Sequence, residues 1–279
     1  MFLGLPAFNE ELAIAPLFAR IRSARSELLD RGLAKDLVVL FYDDGSTDNT
    51  VQEVKNSAEE LDLFLLSPEG NGGLGVALRG LFTEFVDQAS SGDVLVIMDA
   101  DDTHDPSQIS QLLAEMDGKP ADVVIASRYR KGARVHGVPG YRQFLSFGFA
   151  GLVKVVLPIR GVLDYSCGYR AYSYDSIAPL MTEQGFPLHE TGFSSMPEVL
   201  IRLRGKSLVF REIPLQLSYD RRLTVSKMRA WENSKRLLSR VITWRFRSNT
   251  LKSSEDSGSL GSRKWWTTSQ LHDGDNSDG

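Results

Sequence analysis

Short apolar, β-branched runs alternate with stretches of helical periodicity through the first half of the chain, and this alternation constrains the fold more than any other feature. The strand-like runs are 2–5, 37–42, 61–66, 94–98 and 122–126. Helical patterns between them begin near Pro16, Asn49, Gly75 and Pro106. Strand and helix in strict alternation specify an α/β fold with a mainly parallel central sheet flanked by helices. The helix at Pro106 has a defined start, because Asp105 suits an N-cap and proline suits the first helical turn. A later strand-like stretch, 208–217, belongs in the same sheet or beside it.

With 279 residues the chain can bury the core of one large domain plus an appendage. Its single cysteine, Cys167, excludes an internal disulfide framework; it reads as a buried structural thiol or as a reactive one. The N-terminus enters its first apolar run without a basic leader. The most apolar stretch, 144–159, reads as one or two helices; it carries Lys154 and Pro158 and falls short of the ~20 apolar residues of a membrane span. Residues 220–247 hold nine Lys/Arg against Asp220 and Glu232 in a chain of net charge −4. Such a block is either a surface for phosphates or anionic lipid, or a solvated helix face. The expected organisation is a catalytic-type domain over 1–230, a basic amphipathic helix over 231–247 and a disordered Ser/Gly/Asp-rich tail over 248–279. Trp265-Trp266 in that tail have no account from sequence.

Three clusters carry chemistry. Asp43-Asp44-Gly45-Ser46-Thr47-Asp48 follows the second strand, where ligands bind in open α/β sheets. It reads either as a base or ribose contact or as a turn with a helix cap. Asp99-Ala100-Asp101-Asp102-Thr103-His104 ends the apolar run 94–98. In extended chain Asp99 and Asp101 point the same way, and adjacent carboxylates repel unless a cation lies between them. Hard oxygen ligands suit Mg²⁺ or Mn²⁺, which also bind diphosphate. The run 70–75 fits G-x-G-x-x-G but follows the third strand and lacks the acid that would hold a ribose, which argues against a dinucleotide fold. A close backbone approach to a ligand remains open to it. Arg128 follows the fifth strand and can meet a phosphate. The segment 164–170 reads as a tight polar turn. Arg221 and Lys227 stand in the basic block.

In order, these segments resemble the family 2 glycosyltransferases of GT-A fold, closest to the dolichyl-phosphate-mannose-synthase-like branch, over roughly residues 2–230. Leu5-Pro6-Ala7-Phe8-Asn9-Glu10 is similar to the family's opening Pro-x-Tyr-Asn-Glu, and Asp43 to Asp48 to its second nucleotide-binding turn. Asn71 to Gly75, with Ala77 and Gly80, resembles its Gly-rich segment. Asp99-Ala100-Asp101 with His104 and Pro106 resembles its metal motif and sequel. The resemblance implies a nucleotide-sugar pocket lined by Pro6, Ala7, Phe8, Glu10, Asp43, Asp44, Gly73, Asp99 and Ala100. It implies a divalent metal on Asp99 and Asp101, and a catalytic group of Asp101, Arg128, Arg221 and Lys227 around the phosphates. The 164–170 turn resembles an Asp-x-Ser-x-Gly-Phe-Arg segment near the acceptor. Thr224 and Val138-Pro139 depart from the branch, where Gly and Gly-Trp stand.

The implied reaction is an inverting transfer of a sugar from a GDP- or UDP-sugar to a polyprenyl or dolichyl phosphate, at the inner face of a membrane and without nucleic acid. A lipid phosphate is already anionic and needs no general base, whereas a hydroxyl acceptor does. The alternative is therefore a family 2 transferase acting on a glycan or soluble hydroxyl, with Glu190 or Glu198 as base. Glu198 also reads as a structural helix residue.

Overall fold

The computed structural model describes residues 1–68, 70–118, 120–137, 151, 153–204, 206–221 and 266–268. The five expected strands form within one or two residues of their expected limits: β1 (Phe2–Ala7), β2 (Val38–Asp43), β3 (Asp62–Leu66), β4 (Val94–Ile97) and β5 (Val123–Ser127). Further strands are β6 (Arg134–His136), β7 (Arg170–Ser173), β8 (Phe210–Pro214), β9 (Gln216–Ser218) and β10 (Trp266–Thr267). The stretch 208–217 thus splits at Leu215: β8 joins the main sheet and β9 pairs with β6 in a separate ribbon.

The main sheet has eight strands in the order β10-β3-β2-β1-β4-β7-β5-β8. β3, β2, β1 and β4 run parallel, and β5 is parallel to β8. β7 enters antiparallel between β4 and β5, an insertion that periodicity alone did not announce. The order reverses at β1, which lies between β2 and β4, so the crevice beyond its carboxyl end is where such sheets bind ligands.

The helices are α1 (Glu11–Asp30), α2 (Thr50–Ser57), α3 (Leu74–Gln88), α4 (Ile109–Gly118), α5 (Tyr174–Ile177) and α6 (Ser195–Leu203). Side chains alternate across a strand. Phe2 meets Phe85 of α3 edge to face, while Phe41, in register with Leu5, meets Phe18 of α1. α1 and α3 therefore cover opposite faces.

α1 starts five residues before the expected Pro16, which lies inside it. An interior proline forgoes one helical hydrogen bond, at about 3 kcal/mol. Burial of Ile14, Leu17, Phe18 and Ile21 on the sheet offsets that, since each large apolar side chain contributes about 1.5–3 kcal/mol. The helix at Pro106 begins as expected, with the Asp105 carboxylate accepting from the Ser107 N–H, though its first turn is a tight 3₁₀ turn.

Trp266 and Thr267 lie in the segment expected to be disordered, yet they pair antiparallel with Leu65 and Phe64 and cover the β3 edge. The Thr268 hydroxyl donates to the Leu61 carbonyl and accepts from the Leu63 N–H. Unpaired backbone at the edge gains partners this way, a pull that polar composition does not reveal. The rest of 248–279, the expected helix 231–247 and most of 144–159 lie outside the described residues. Among the described residues, no helix is long and apolar enough to cross a membrane.

Candidate functional site

Four loops meet at the carboxyl ends of β1, β2, β3 and β4, and backbone-to-side-chain hydrogen bonds join them. Behind β1, the Asn9 carboxamide oxygen accepts from the Thr47 N–H at 2.7 Å, and the Asn9 N–H donates to Ser46 Oγ at 2.8 Å. Asn9 holds φ +55°, a left-handed value that asparagine tolerates better than most residues. The Glu10 N–H donates to Thr50 Oγ1, and the Asp44 N–H to the Ala7 carbonyl. Pro6 and Ala7 sit in register with Tyr42 and Asp43, so the 6–10 segment and the Asp43 turn form one wall. Phe8 and Pro6 are half-buried there; Glu10 is buried.

Asp43 and Asp44, expected at the base and ribose, also brace this wall. Asp43 accepts from Ser67 Oγ at 2.7 Å and from the Ser46 N–H. Asp44 accepts the N–H groups of Gly72 and Gly73, each at 2.8 Å, one on each carboxylate oxygen. Burial pushes the Asp44 carboxyl up from its ordinary value, against the pull of those two N–H groups. The turn reading of this cluster is thus seen, and it leaves acceptor sites for a ligand, since a carboxylate has about four lone-pair sites.

Two glycines of the 70–75 segment, Gly73 and Gly75, are explained by protein contacts. Gly45 holds φ +74°, and a Cβ there would stand 2.6 Å from the Gly70 carbonyl. A Cβ on Gly73 would collide with the Thr191 carbonyl oxygen, and one on Gly75 with that of Glu190. The Gly75 N–H donates to the Thr191 carbonyl at 2.8 Å. The close backbone approach inferred from sequence therefore brings the 190–191 loop onto the start of α3.

Beyond β4 the three acids divide their work. Asp99 keeps a carboxylate 44% exposed, packed over Gly168. Asp101 is buried, and one of its oxygens accepts from both the Thr103 N–H and Thr103 Oγ1, the latter at 2.6 Å. Asp102, at φ +62°, pairs with Arg20 of α1, which also reaches the Asp102 carbonyl. Ala100 is buried between them. The Asp99 N–H donates to His104 Nδ1 at 3.1 Å, so that nitrogen is an acceptor and the buried imidazole carries its proton on Nε2. The His104 ring lies 5.0 Å from that of Tyr169, whose hydroxyl donates to the Asp105 carbonyl. Arg20 and Thr103 escaped the sequence reading: a third consecutive acid signals that a counter-charge is needed, but nothing local says it comes from α1.

Arg128 follows β5 as expected. Its Nε and Nη2 grip the two oxygens of Asp164 at 2.8 and 2.7 Å, and Nη2 also reaches Ser166 Oγ. Asp164 is fully buried and accepts further N–H groups from Arg128, Ser166 and Cys167. Burial alone would raise its carboxyl; the guanidinium and these N–H groups hold it below the usual value. Glu212 of β8, also missed in the sequence, accepts the N–H groups of Leu163 and Asp164 and so fixes that turn from behind. Cys167 is buried, and burial pushes its thiol up to about 12, which selects the structural reading over the reactive one.

Glu198 is fully enclosed: its carboxylate accepts from the His189 and Glu190 N–H groups and pairs with Arg202 at 2.8 Å. That bears out its reading as a structural helix residue. Ser218 donates its N–H to the Thr103 carbonyl, so the turn ending at Arg221 starts beside the Asp99–His104 loop. The Arg221 side chain, Lys227, Thr224 and Val138-Pro139 lie outside the described residues.

The residues present fit a divalent cation, since Asp99 and Asp101 offer hard carboxylate oxygens at one strand end. Among the described residues no third His, Cys, Asp or Glu joins them, so donor oxygens or water would complete the shell.

Comparison with known proteins shows the family. The model of the Glycosyl transferase family 2 matches residues 3–178, and the chain belongs to that family, with its GT-A-like fold. A dolichol-phosphate mannosyltransferase of Pyrococcus furiosus is 32% identical over 211 residues, 75% of this chain but 54% of that protein, so the chain spans about half of that relative. An undecaprenyl-phosphate mannosyltransferase of Micrococcus luteus is 29% identical over 80% of this chain and 85% of its own length. Among solved structures, glucosyl-3-phosphoglycerate synthase from Mycobacterium tuberculosis, in complex with Mn²⁺, UDP-glucose and phosphoglyceric acid, superposes with a TM-score of 0.60. It is 19% identical and covers 95% of this chain and 86% of that one.

Proposed function

We propose that the chain transfers a sugar, with inversion, from a nucleoside-diphosphate sugar to a polyprenyl phosphate. The observation that carries this is the exposed Asp99 carboxylate beside Thr103-braced Asp101, in the crevice next to β1. Pro6, Ala7, Phe8 and Glu10 would line the nucleoside side with the Asp44 turn and Gly73. Asp99 and Asp101 would hold the divalent ion, which offsets the charge that grows on the leaving diphosphate. Asp102 is neutralised by Arg20 and so stays out of that ion's field.

Arg128, Arg221 and Lys227 would serve the phosphates as cations. Asp164 orients Arg128 and leaves its Nη1 without a hydrogen bond among the described residues. The names of the similar mannosyltransferases support a lipid-phosphate acceptor. The enclosure of Glu198 supports it too, because it removes one of the two candidates for the base that a hydroxyl acceptor would require. Such an acceptor places the chain at a membrane surface.

The test is incubation with labelled GDP- and UDP-sugars, Mn²⁺ and a polyprenyl phosphate, followed by extraction of the lipid. The expected product is a lipid-linked sugar labile to mild acid, and Asp101→Ala should reduce its formation about a hundredfold or more. An acid-stable product would overturn the phosphate acceptor; full activity of the variant would overturn the role of Asp101.

A further inference from the structure

A cavity of mixed polar and apolar lining lies away from the β1–β4 crevice, against the first half of the edge strand β8. It has a volume of about 670 Å³ and is lined by Arg130, Arg160, Arg211, Glu115, Glu212 and Ser207, among others. That is within the range of about 300–1,000 Å³ in which small molecules bind. Its floor is rigid, because Gly161, at φ +88°, presses against the Phe210 carbonyl, where any Cβ would collide.

The wall has a surplus of positive charge and of donors. Glu115 is paired with Arg211 Nη1 at 3.4 Å, and Glu212 faces Arg130 Nε at 3.4 Å while its other oxygen holds the Leu163 and Asp164 N–H groups. Both carboxylates are thus engaged. Arg160 is exposed at the rim and makes no hydrogen bond or ion pair among the described residues. Among the described residues Arg211 Nε is buried with no hydrogen-bond partner, and Glu212 Oε2, the oxygen that faces Arg130, is charge-paired there but accepts no hydrogen bond. A ligand that meets both atoms makes two hydrogen bonds that the bare wall leaves unmade. It must accept from guanidinium groups and donate to one carboxylate oxygen. A phosphate answers the first demand and a hydroxyl the second.

The geometry points to a binding site for a phosphate monoester that carries free hydroxyl groups, of the sugar-phosphate or glycerol-phosphate class, held by Arg160, Arg211 and Glu212. This site is separate from the metal carboxylates and requires neither donor nor cation. Glu212 belongs to both regions, since it also supports the turn that holds Asp164 and Arg128.

The test is calorimetric titration of the full chain with glucose 6-phosphate in the presence of EDTA. Binding is expected for the unaltered chain and, at equal affinity, for Asp101→Ala. Arg160→Ala should weaken it about tenfold, as expected for loss of one charged hydrogen bond, and Arg160→Glu should weaken it further. Arg160 is exposed and unpaired, so both variants should fold, which circular dichroism checks. Sedimentation with vesicles containing phosphatidylinositol 4-phosphate, a phosphate monoester with free hydroxyl groups, separates the sources of the phosphate. Arg160-dependent retention on vesicles without binding of the soluble ester assigns it to a lipid headgroup. No binding of either probe, or equal binding by Arg160→Glu, overturns the site. Because metal and donor are absent throughout, the outcome is independent of the transfer reaction.

Discussion

Asp164 accepts from the Arg128 side chain and from three backbone N–H groups, and none of its surface meets water. Removing one partner of such a pair leaves an uncompensated buried charge and costs about 3–5 kcal/mol. Asp164→Asn should therefore lower stability by that order in urea denaturation at neutral pH. The sign with pH follows from the lowered carboxyl. The folded state binds this proton less tightly than the unfolded one, so the stabilisation is complete above the ordinary value of 3.8 and is lost as pH falls through the lower folded value. Denaturation of both proteins between pH 3 and 7 should show the gap between them closing only at the acid end. At this scale the sequence was legible where chemistry is local: the acids follow directly on the end of β4, as the apolar run 94–98 announced, although the chain bends from Ala100 on and does not stay extended there. Arg20 and Glu212 were not legible, because each comes from a distant element: Arg20 from α1 to meet the Asp102 carboxylate, Glu212 from β8 to accept the N–H groups of Leu163 and Asp164.

The loops around the crevice are fitted backbone to backbone, and Gly75 is the tightest of these fits. A Cβ there must displace the Glu190 carbonyl or shift α3, and overpacking of this kind costs about 1–3 kcal/mol. Gly75→Ala should lower the melting temperature and move the 189–192 loop, which calorimetry and hydrogen exchange of those amides would register. β10 offers a second test. Thr267→Pro removes a backbone donor and blocks pairing with Phe64. The amides of β3 should then exchange faster while those of β1 and β2 keep their protection. The strand and helix alternation was readable because it rests on side-chain period. Antiparallel β7 and the edge strand β10 were not, since a strand's neighbour is decided by which open edge it meets, and four residues such as Arg170–Ser173 carry no trace of that choice.

Across the whole molecule, the two carboxylates proposed to hold the metal rest on protein contacts: Thr103 for Asp101, and the Gly168 turn with the His104-bonded backbone for Asp99. On the proposed function the cation would be a reagent of the reaction and not a support of the fold. Chelation should abolish transfer and leave the melting temperature unchanged. Mn²⁺ with a nucleoside diphosphate should raise it, since a ligand at about a hundred times its Kd adds about 2.7 kcal/mol. An equal rise with the metal alone would assign it a structural role instead.

The strand that closes the sheet at β3 has a further consequence for how the chain is made. Thr268 and Leu63 bond across 205 residues, so β3 is synthesised long before its last neighbour exists. On the ribosome its flank stays bare while the remaining chain is translated. A nascent polypeptide in that condition invites strand exchange with others on the same messenger, and slowing or crowding of translation should raise the insoluble fraction before it changes the activity of the molecules that finish.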